Sequence, residues 1–296
     1  MAEGIGTVTV KDIMTPNPLV IEVPGNREEV LEKMKETGLF AFPCVKKGTK
    51  ELVGIITKED LIQKPQENQV AMLMTRDVIT VTSNTKIIDA VKIMLKERAR
   101  RLPVITIKEG KEKIKEVVGF ITIADVIRKI IAKLETEKTI QKHYNKNIVA
   151  IWENTPLRVV WKIMNLAGQQ ALPTLDNKGK MSGIVTIDDL VAAAEVVGSQ
   201  KTSQTGHAAE YTASSWDSVE VLIIFSQELR FPEIPVSEIS VKKVQTAFEG
   251  TTIFEVARKM GRYNIDQLPV LDAKGELVGM INDFGLCKAF LDSGSE

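Results

Sequence analysis

The chain has 296 residues, 39 Lys plus Arg against 39 Asp plus Glu, and 44% apolar residues. Its length suggests about two domains at roughly 150 residues each, and its cancelled charges exclude a global field drawing in nucleic acid or an anionic membrane. No apolar run approaches the roughly 20 residues a bilayer requires; residues 1–12 lack the pattern of a signal peptide; a cytoplasmic protein with no membrane partner is expected. Cys44 and Cys287 read as reduced core thiols. Neither His143 nor His207 has ligand-spaced neighbours, so no metal site is expected.

The elements follow a plan that recurs, the mark of a repeat architecture. In the first repeat, residues 10–63, Met34 precedes Pro43 by nine positions, and a glycine then opens Gly54-Ile55-Ile56-Thr57-Lys58-Glu59-Asp60-Leu61. Residues 64–69, with Pro65, can join only adjacent partners. The second repeat, residues 70–132, stands 60 residues on, matching Met14 with Met74, Met34 with Met94 and Pro43 with Pro103. Here β-branched Val78-Ile79-Thr80-Val81 reads as a strand, and residues 83–85 as a turn and N-cap. Ile87, Ala90, Val91 and Met94 recur at helical spacing. Pro103 ends that helix and starts a strand over 104–107; a charged hairpin, 108–115, returns the chain into a strand over 117–122. A last helix starts near Asp125, within Gly119-Phe120-Ile121-Thr122-Ile123-Ala124-Asp125-Val126.

Residues 131–142 read as helix entering the third repeat, residues 140–196, where Met164, Pro173 and Gly183-Ile184-Val185-Thr186-Ile187-Asp188-Asp189-Leu190 recur. Of the stretch 198–235, residues 199–206 read as a flexible loop, whereas 219–225 are apolar enough to pack. The fourth repeat, residues 234–291, keeps Met260 and Pro269 but drifts in Gly279-Met280-Ile281-Asn282-Asp283-Phe284-Gly285-Leu286. Each unit runs strand, helix, strand, hairpin, strand, helix, a size marginal for an isolated core. Pairing within the chain is therefore expected, over 1–135 and 136–296.

These residues resemble the CBS family, named after cystathionine β-synthase, whose repeats pair into Bateman modules. The arrangement is most similar to the γ subunit of AMP-activated protein kinase and its stand-alone archaeal relatives. The resemblance implies an α+β fold of four CBS repeats in two modules, a flattened disc. It implies a non-enzymatic regulator without catalytic residues or cofactor, binding AMP, ADP or ATP in clefts between paired repeats and signalling to an unidentified regulated protein. Nucleic acid is not expected as a partner; the chain is expected as a monomer, or as a homodimer through exposed helices.

By the same resemblance, the ribose diol falls to Thr57 with Asp60, Thr122 with Asp125, and Thr186 with Asp189, residues that read equally well as helix N-caps. Asn282 and Gly285 leave the fourth repeat without this clamp. The base would lie against the early strand of the partner repeat: Val78, Ile79 and Thr80 for Asp60; Pro18, Leu19 and Val20 for Asp125; Val244, Gln245 and Thr246 for Asp189. These residues also suit an ordinary core. Phosphates fall to Arg100 and Arg101, with Arg98 nearby, completing the Asp60 cleft; the alternative is a solvated helix end. The corresponding positions elsewhere hold Phe40, Gln170 and Asp266; Asp266 would repel phosphate in the Asp189 cleft unless a cation compensates, and Lys259 and Arg262 are the candidates, their direction not given by the sequence. A sensor of S-adenosylmethionine or methylthioadenosine would need the clamp but no phosphate cations, which suits the Asp125 and Asp189 clefts. A constitutive scaffold with vestigial clefts is the third reading. No phosphate loop of the Walker or dinucleotide type occurs, and Trp152, Trp161 and Trp216 read as core.

Overall fold

β-branched runs and Met-centred apolar stripes settle into short sheets, each covered by the helices that follow its strands. The computed structural model describes residues 6–64, 66–108, 113–203 and 222–293. In the first repeat it places α1 (Val10–Ile13), β1 (Thr15–Pro16), β2 (Ile21–Val23), α2 (Arg27–Thr37), β3 (Ala41–Lys46), β4 (Leu52–Thr57) and α3 (Lys58–Gln63). The second holds α4 (Val70–Leu73), β5 (Val81–Thr82), α5 (Ile87–Lys96), β6 (Arg101–Lys108), β7 (Ile114–Thr122) and α6 (Ile123–Lys129), then a 3-10 turn, Ile131–Lys133. The third holds β8 (Ile151–Trp152), α7 (Leu157–Ala167), β9 (Ala171–Leu175), β10 (Met181–Thr186) and α8 (Ile187–Ala193). After it come β11 (Glu195–Ser203) and β12 (Leu222–Arg230); the fourth repeat then adds β13 (Ala247–Phe248), α9 (Ile253–Tyr263), β14 (Gln267–Leu271), β15 (Leu277–Asn282) and α10 (Asp283–Ser293).

In each repeat a parallel pair (β2 with β3, β5 with β6, β8 with β9, β13 with β14) is extended by an antiparallel strand. The prolines lie inside strands: Pro103 faces Phe120 across β6 and β7, before pairing with β5 begins at Val104. A missing N–H costs little where one side of the strand has no partner.

The chain divides into two units, residues 1–149 with 243–296, and residues 150–242. Within the first, the lead-in of each early repeat pairs with the other's sheet: Thr15 with Phe120, and Thr75 with Ile55. Asn145, in the lead-in of the third repeat, bridges Met280 of the fourth. In the second unit, Val241, in the lead-in of the fourth repeat, bridges Ile184 of the third. The recurrent glycines permit this exchange. A Cβ on Gly54 would stand 2.6 Å from Met74 Sδ, on Gly119 2.4 Å from Met14 Sδ, on Gly183 2.8 Å from Val241 O and on Gly279 2.4 Å from Asn145 O, all closer than carbon tolerates.

The cores follow the exchange. Ile21, Val30, Phe42 and Ile56 of the first repeat enclose Val70, Leu73 and Met74 from the second's lead-in. Repeats two and four share one core, in which Val91, Val126 and Ile127 meet Val256, Ala257 and Leu286, joined by Val10, Ile13, Ile140 and Tyr144. In the second unit Leu157, Val160, Met164 and Val185 pack with Val236.

Three expectations change. The strand expected over Val78-Ile79-Thr80-Val81 contracts to Val81–Thr82, because 75–80 is spent crossing from β4 back to its own sheet. The helix expected over 131–142 stops after one 3-10 turn. Its backbone finds partners in the fourth repeat, with Ile140 N donating to Thr251 O at 3.0 Å and Ile253 N to Lys138 O at 2.9 Å. Of the loop expected over 199–206, Ser199 to Ser203 belong to β11, paired antiparallel with β12; residues 204–206, like Pro65, 109–112 of the charged hairpin and 219–221, lie outside the described residues.

Candidate nucleotide clefts

Three of the repeats end a strand in a Thr that stands three residues before an Asp in the first turn of the next helix, and this spacing builds a capping box. At Thr57 the backbone N and Oγ1 both donate to Asp60 Oδ2 at 2.7 Å, while Asp60 N donates back to Thr57 Oγ1 at 3.3 Å. Thr122 with Asp125 and Thr186 with Asp189 repeat the arrangement. The cap thus consumes one carboxylate oxygen, and capping is compatible with a second task for the other.

What the other oxygen meets separates the repeats. Asp125 Oδ1 accepts from Lys129 Nζ at 2.9 Å, and the same ammonium donates to Ile13 O at 2.6 Å. Oδ1 of Asp60 and of Asp189 has no protein partner among the described residues. In the fourth repeat Asn282 Oδ1 caps the helix by accepting from Gly285 N at 2.8 Å.

The segments expected to hold a base are extended, not paired in strands, and present apolar side chains to solvent. Leu19 is 48% exposed and Ile79 37%; Pro18, Val20, Val78 and Thr80 flank them, half-buried. Val78 precedes β5 by three residues, as Arg101 precedes the β6 residue that pairs with it. In the fourth repeat Val244, Gln245 and Thr246 are half-buried, and Lys259 Nζ donates to Thr246 O at 2.8 Å, fixing the direction of that cation. Lys33 does the same to Val20 O at 2.9 Å in the first repeat. Thr186 and Asp189 belong to the second unit, Val244 to Thr246 to the first.

The two arginines expected at a phosphate differ in what they meet. Successive residues entering a strand point to opposite faces. Arg100 turns toward the fourth repeat, its Nε 2.8 Å from Asp283 Oδ2 and its Nη2 3.2 Å from Oδ1, with Asp266 Oδ2 at 3.7 Å and the Phe284 ring centroid at 5.4 Å. Burial pushes the Asp283 carboxyl above the ordinary range against the pull of Arg100; burial is also the largest single influence on the guanidinium and works against its charge, but the charge and hydrogen bonds of Asp283, together with the charges of Asp266 and Glu59, outweigh it and raise its pKa. Arg100 and Asp266 occupy the same place in their repeats, three residues before Pro103 and Pro269. The interface of repeats two and four thus opposes charge to charge at equivalent positions.

Arg101 lies in the field of Glu59, Asp283 and Asp266 without pairing with any of them. It makes no side-chain hydrogen bond or ion pair among the described residues. Burial lowers its pKa, partly offset by the charge of Glu59, the neighbour of Asp60. Ala41, Ala171 and Gln267 stand at its position in the other repeats. Asp283 escaped the sequence reading; its signal was an acid where the other repeats carry Lys58, Ile123 and Ile187.

The CBS domain profile matches residues 10–67, 70–132, 140–195 and 236–292. The chain is similar to the uncharacterized protein MJ1225 of Methanocaldococcus jannaschii, 24% identical over 285 residues, 88% of this chain and 91% of that one. The crystal structure of that protein, described as a proposed archaeal homologue of γ-AMPK, shares the fold with a TM-score of 0.69 at 21% identity, covering 96% of this chain and 100% of its own. An uncharacterized conserved protein from Pyrococcus horikoshii is 32% identical, with a TM-score of 0.67 over 96% of this chain and 100% of its own.

Proposed function

The chain belongs to the CBS domain family, and from that premise we propose that it is a regulatory sensor of adenine nucleotides. The observation that carries this reading is that paired repeats one and two hold an open carboxylate oxygen on Asp60 and, within the field of its neighbour Glu59, the half-buried guanidinium of Arg101 without an ion-pair partner among the described residues. Asp60 Oδ1 accepts from a ribose diol, Val78, Ile79 and Thr80 flank the base, and Arg101 takes the phosphate through charge-assisted hydrogen bonds. With Arg100 engaged elsewhere and Glu59 close to Arg101, the cleft favours the monophosphate over the triphosphate, whose added charge meets no second cation. The working modules are residues 1–135 and 136–296. Ligand binding alters how the paired repeats sit, and a regulated protein reads the altered surface.

A second reading applies to Asp189. Its Oδ1 is open and Ala171 replaces the arginine, a combination suited to S-adenosylmethionine or methylthioadenosine. Asp125, tied to Lys129, is the poorest clamp of the three. Calorimetric titration with AMP, ATP and S-adenosylmethionine tests these assignments. Saturable AMP binding that exceeds ATP and weakens about tenfold in Arg101→Ala is expected; absence of all binding would favour a constitutive scaffold.

A further inference from the structure

Charge cancels over the whole chain, yet one groove of the first unit concentrates cations. It lies between the end of α6 with its 3-10 turn and the outward face of α9, encloses about 1090 Å³, and is lined by Arg128, Lys133, Arg258, Lys259 and Arg262. None of the five makes an ion pair among the described residues. Uncharged neighbours position four of them. Lys259 is held by Thr246 O, Arg128 donates to Asn264 Oδ1, and Arg258 and Arg262 lie 5.3 and 5.6 Å from the ring centroids of Phe254 and Tyr263. The one lining carboxylate, Glu255, is engaged in the α9 capping box with Thr252. Phe248, 52% exposed, supplies an apolar wall.

We propose that this groove docks an acidic, aromatic-bearing segment of a partner protein. Cations without carboxylate partners on a neutral protein complement an acidic chain locally, with no general attraction for polyanions. Single-stranded nucleic acid needs successive free ring faces for its bases, but Arg262 already covers Tyr263, leaving Phe248 for one apolar side chain. The cations extend along two helices, further than one phosphate group reaches. The groove also touches the proposed sensing apparatus, since Gln245 lines it and Lys259 holds Thr246. In that respect the proposal rests on the sensor reading, giving its signal an exit; the docking chemistry stands without it.

The test uses fluorescence anisotropy with the full chain and a labelled peptide of repeated Glu-Glu-Phe triplets, against a Gln-Gln-Phe control. The acidic peptide should bind at least about tenfold more tightly than the control, and less tightly as salt rises. Arg128→Glu with Arg258→Glu should abolish that preference; Arg128→Gln with Arg258→Gln, a milder change at the same exposed positions, should weaken it. AMP titration of both variants should match the parent, showing the Asp60 cleft intact. Equal binding of the two peptides, or undiminished binding by the charge-reversed variant, would overturn the proposal, as would oligothymidylate binding more tightly and displacing the acidic peptide. A parent that binds the acidic peptide but not AMP would sink the sensor reading while supporting the groove.

Discussion

Arg100 and Asp283, 183 positions apart in sequence, meet in a two-pronged ion pair that joins the second repeat to the fourth. The Asp283 side chain is 5% exposed, so removing its partner leaves a buried charge uncompensated. Arg100→Ala should therefore lower stability by about 3 kcal/mol. Arg101→Ala should leave the denaturation midpoint close to the parent's but weaken AMP binding by about tenfold, the scale of one charged hydrogen bond. Denaturant melts and calorimetry on the two variants check this division; equal effects of both on both measurements would contradict it.

Asp60 and Asp125 cap their helices alike but differ in what holds the second oxygen. Replacing either with Ala should cost about 1 kcal/mol of cap stability. Only Asp60→Ala should weaken AMP binding in the first module, by more than about 1.5 kcal/mol. If Asp125→Ala proved the more damaging to affinity, the cleft assignment would be reversed.

Gly54 admits Met74 at a distance no Cβ allows. Met74 can yield only partly, because Thr75 O also stands 2.9 Å from the Cβ position. Gly54→Ala should destabilise the exchange of lead-in segments by roughly 1–3 kcal/mol, measurable by urea unfolding. Gly250, with open space where its Cβ would be, is the control at which Ala should be tolerated.

Tyr144 donates its phenolic hydrogen to Glu249, and this bond, more than burial, pushes its pKa from 10.0 up to about 12. A raised folded-state value means that the contribution to stability is complete below the ordinary tyrosine pKa and is lost as pH climbs through about 12. Tyrosinate absorbance should show one late-titrating phenol that vanishes in Tyr144→Phe. A parent in which every tyrosine ionises near the ordinary value would refute the assignment.

The repeat, the strand and helix order within it and the three Thr–Asp caps that end its sheets are legible in the sequence, because each depends on neighbours within a few positions. Thr57 with Asp60 is a local geometry, and so is the reach of Lys129 to Asp125 across one helical turn. The glycines were visible but their purpose was not: Gly119 answers to Met14, more than a hundred residues earlier, and only the exchange of lead-in segments brings the two together. The same limit governed the arginines. Strand alternation implies that Arg100 and Arg101 diverge, yet which one meets a carboxylate depends on where the fourth repeat docks. That docking buries Asp283 against the second repeat, where a carboxylate removed from water requires a cation and Arg100 supplies it. The apolar helix faces of repeats two and four fuse into one core at that place, and Arg101 is left without an ion-pair partner among the described residues.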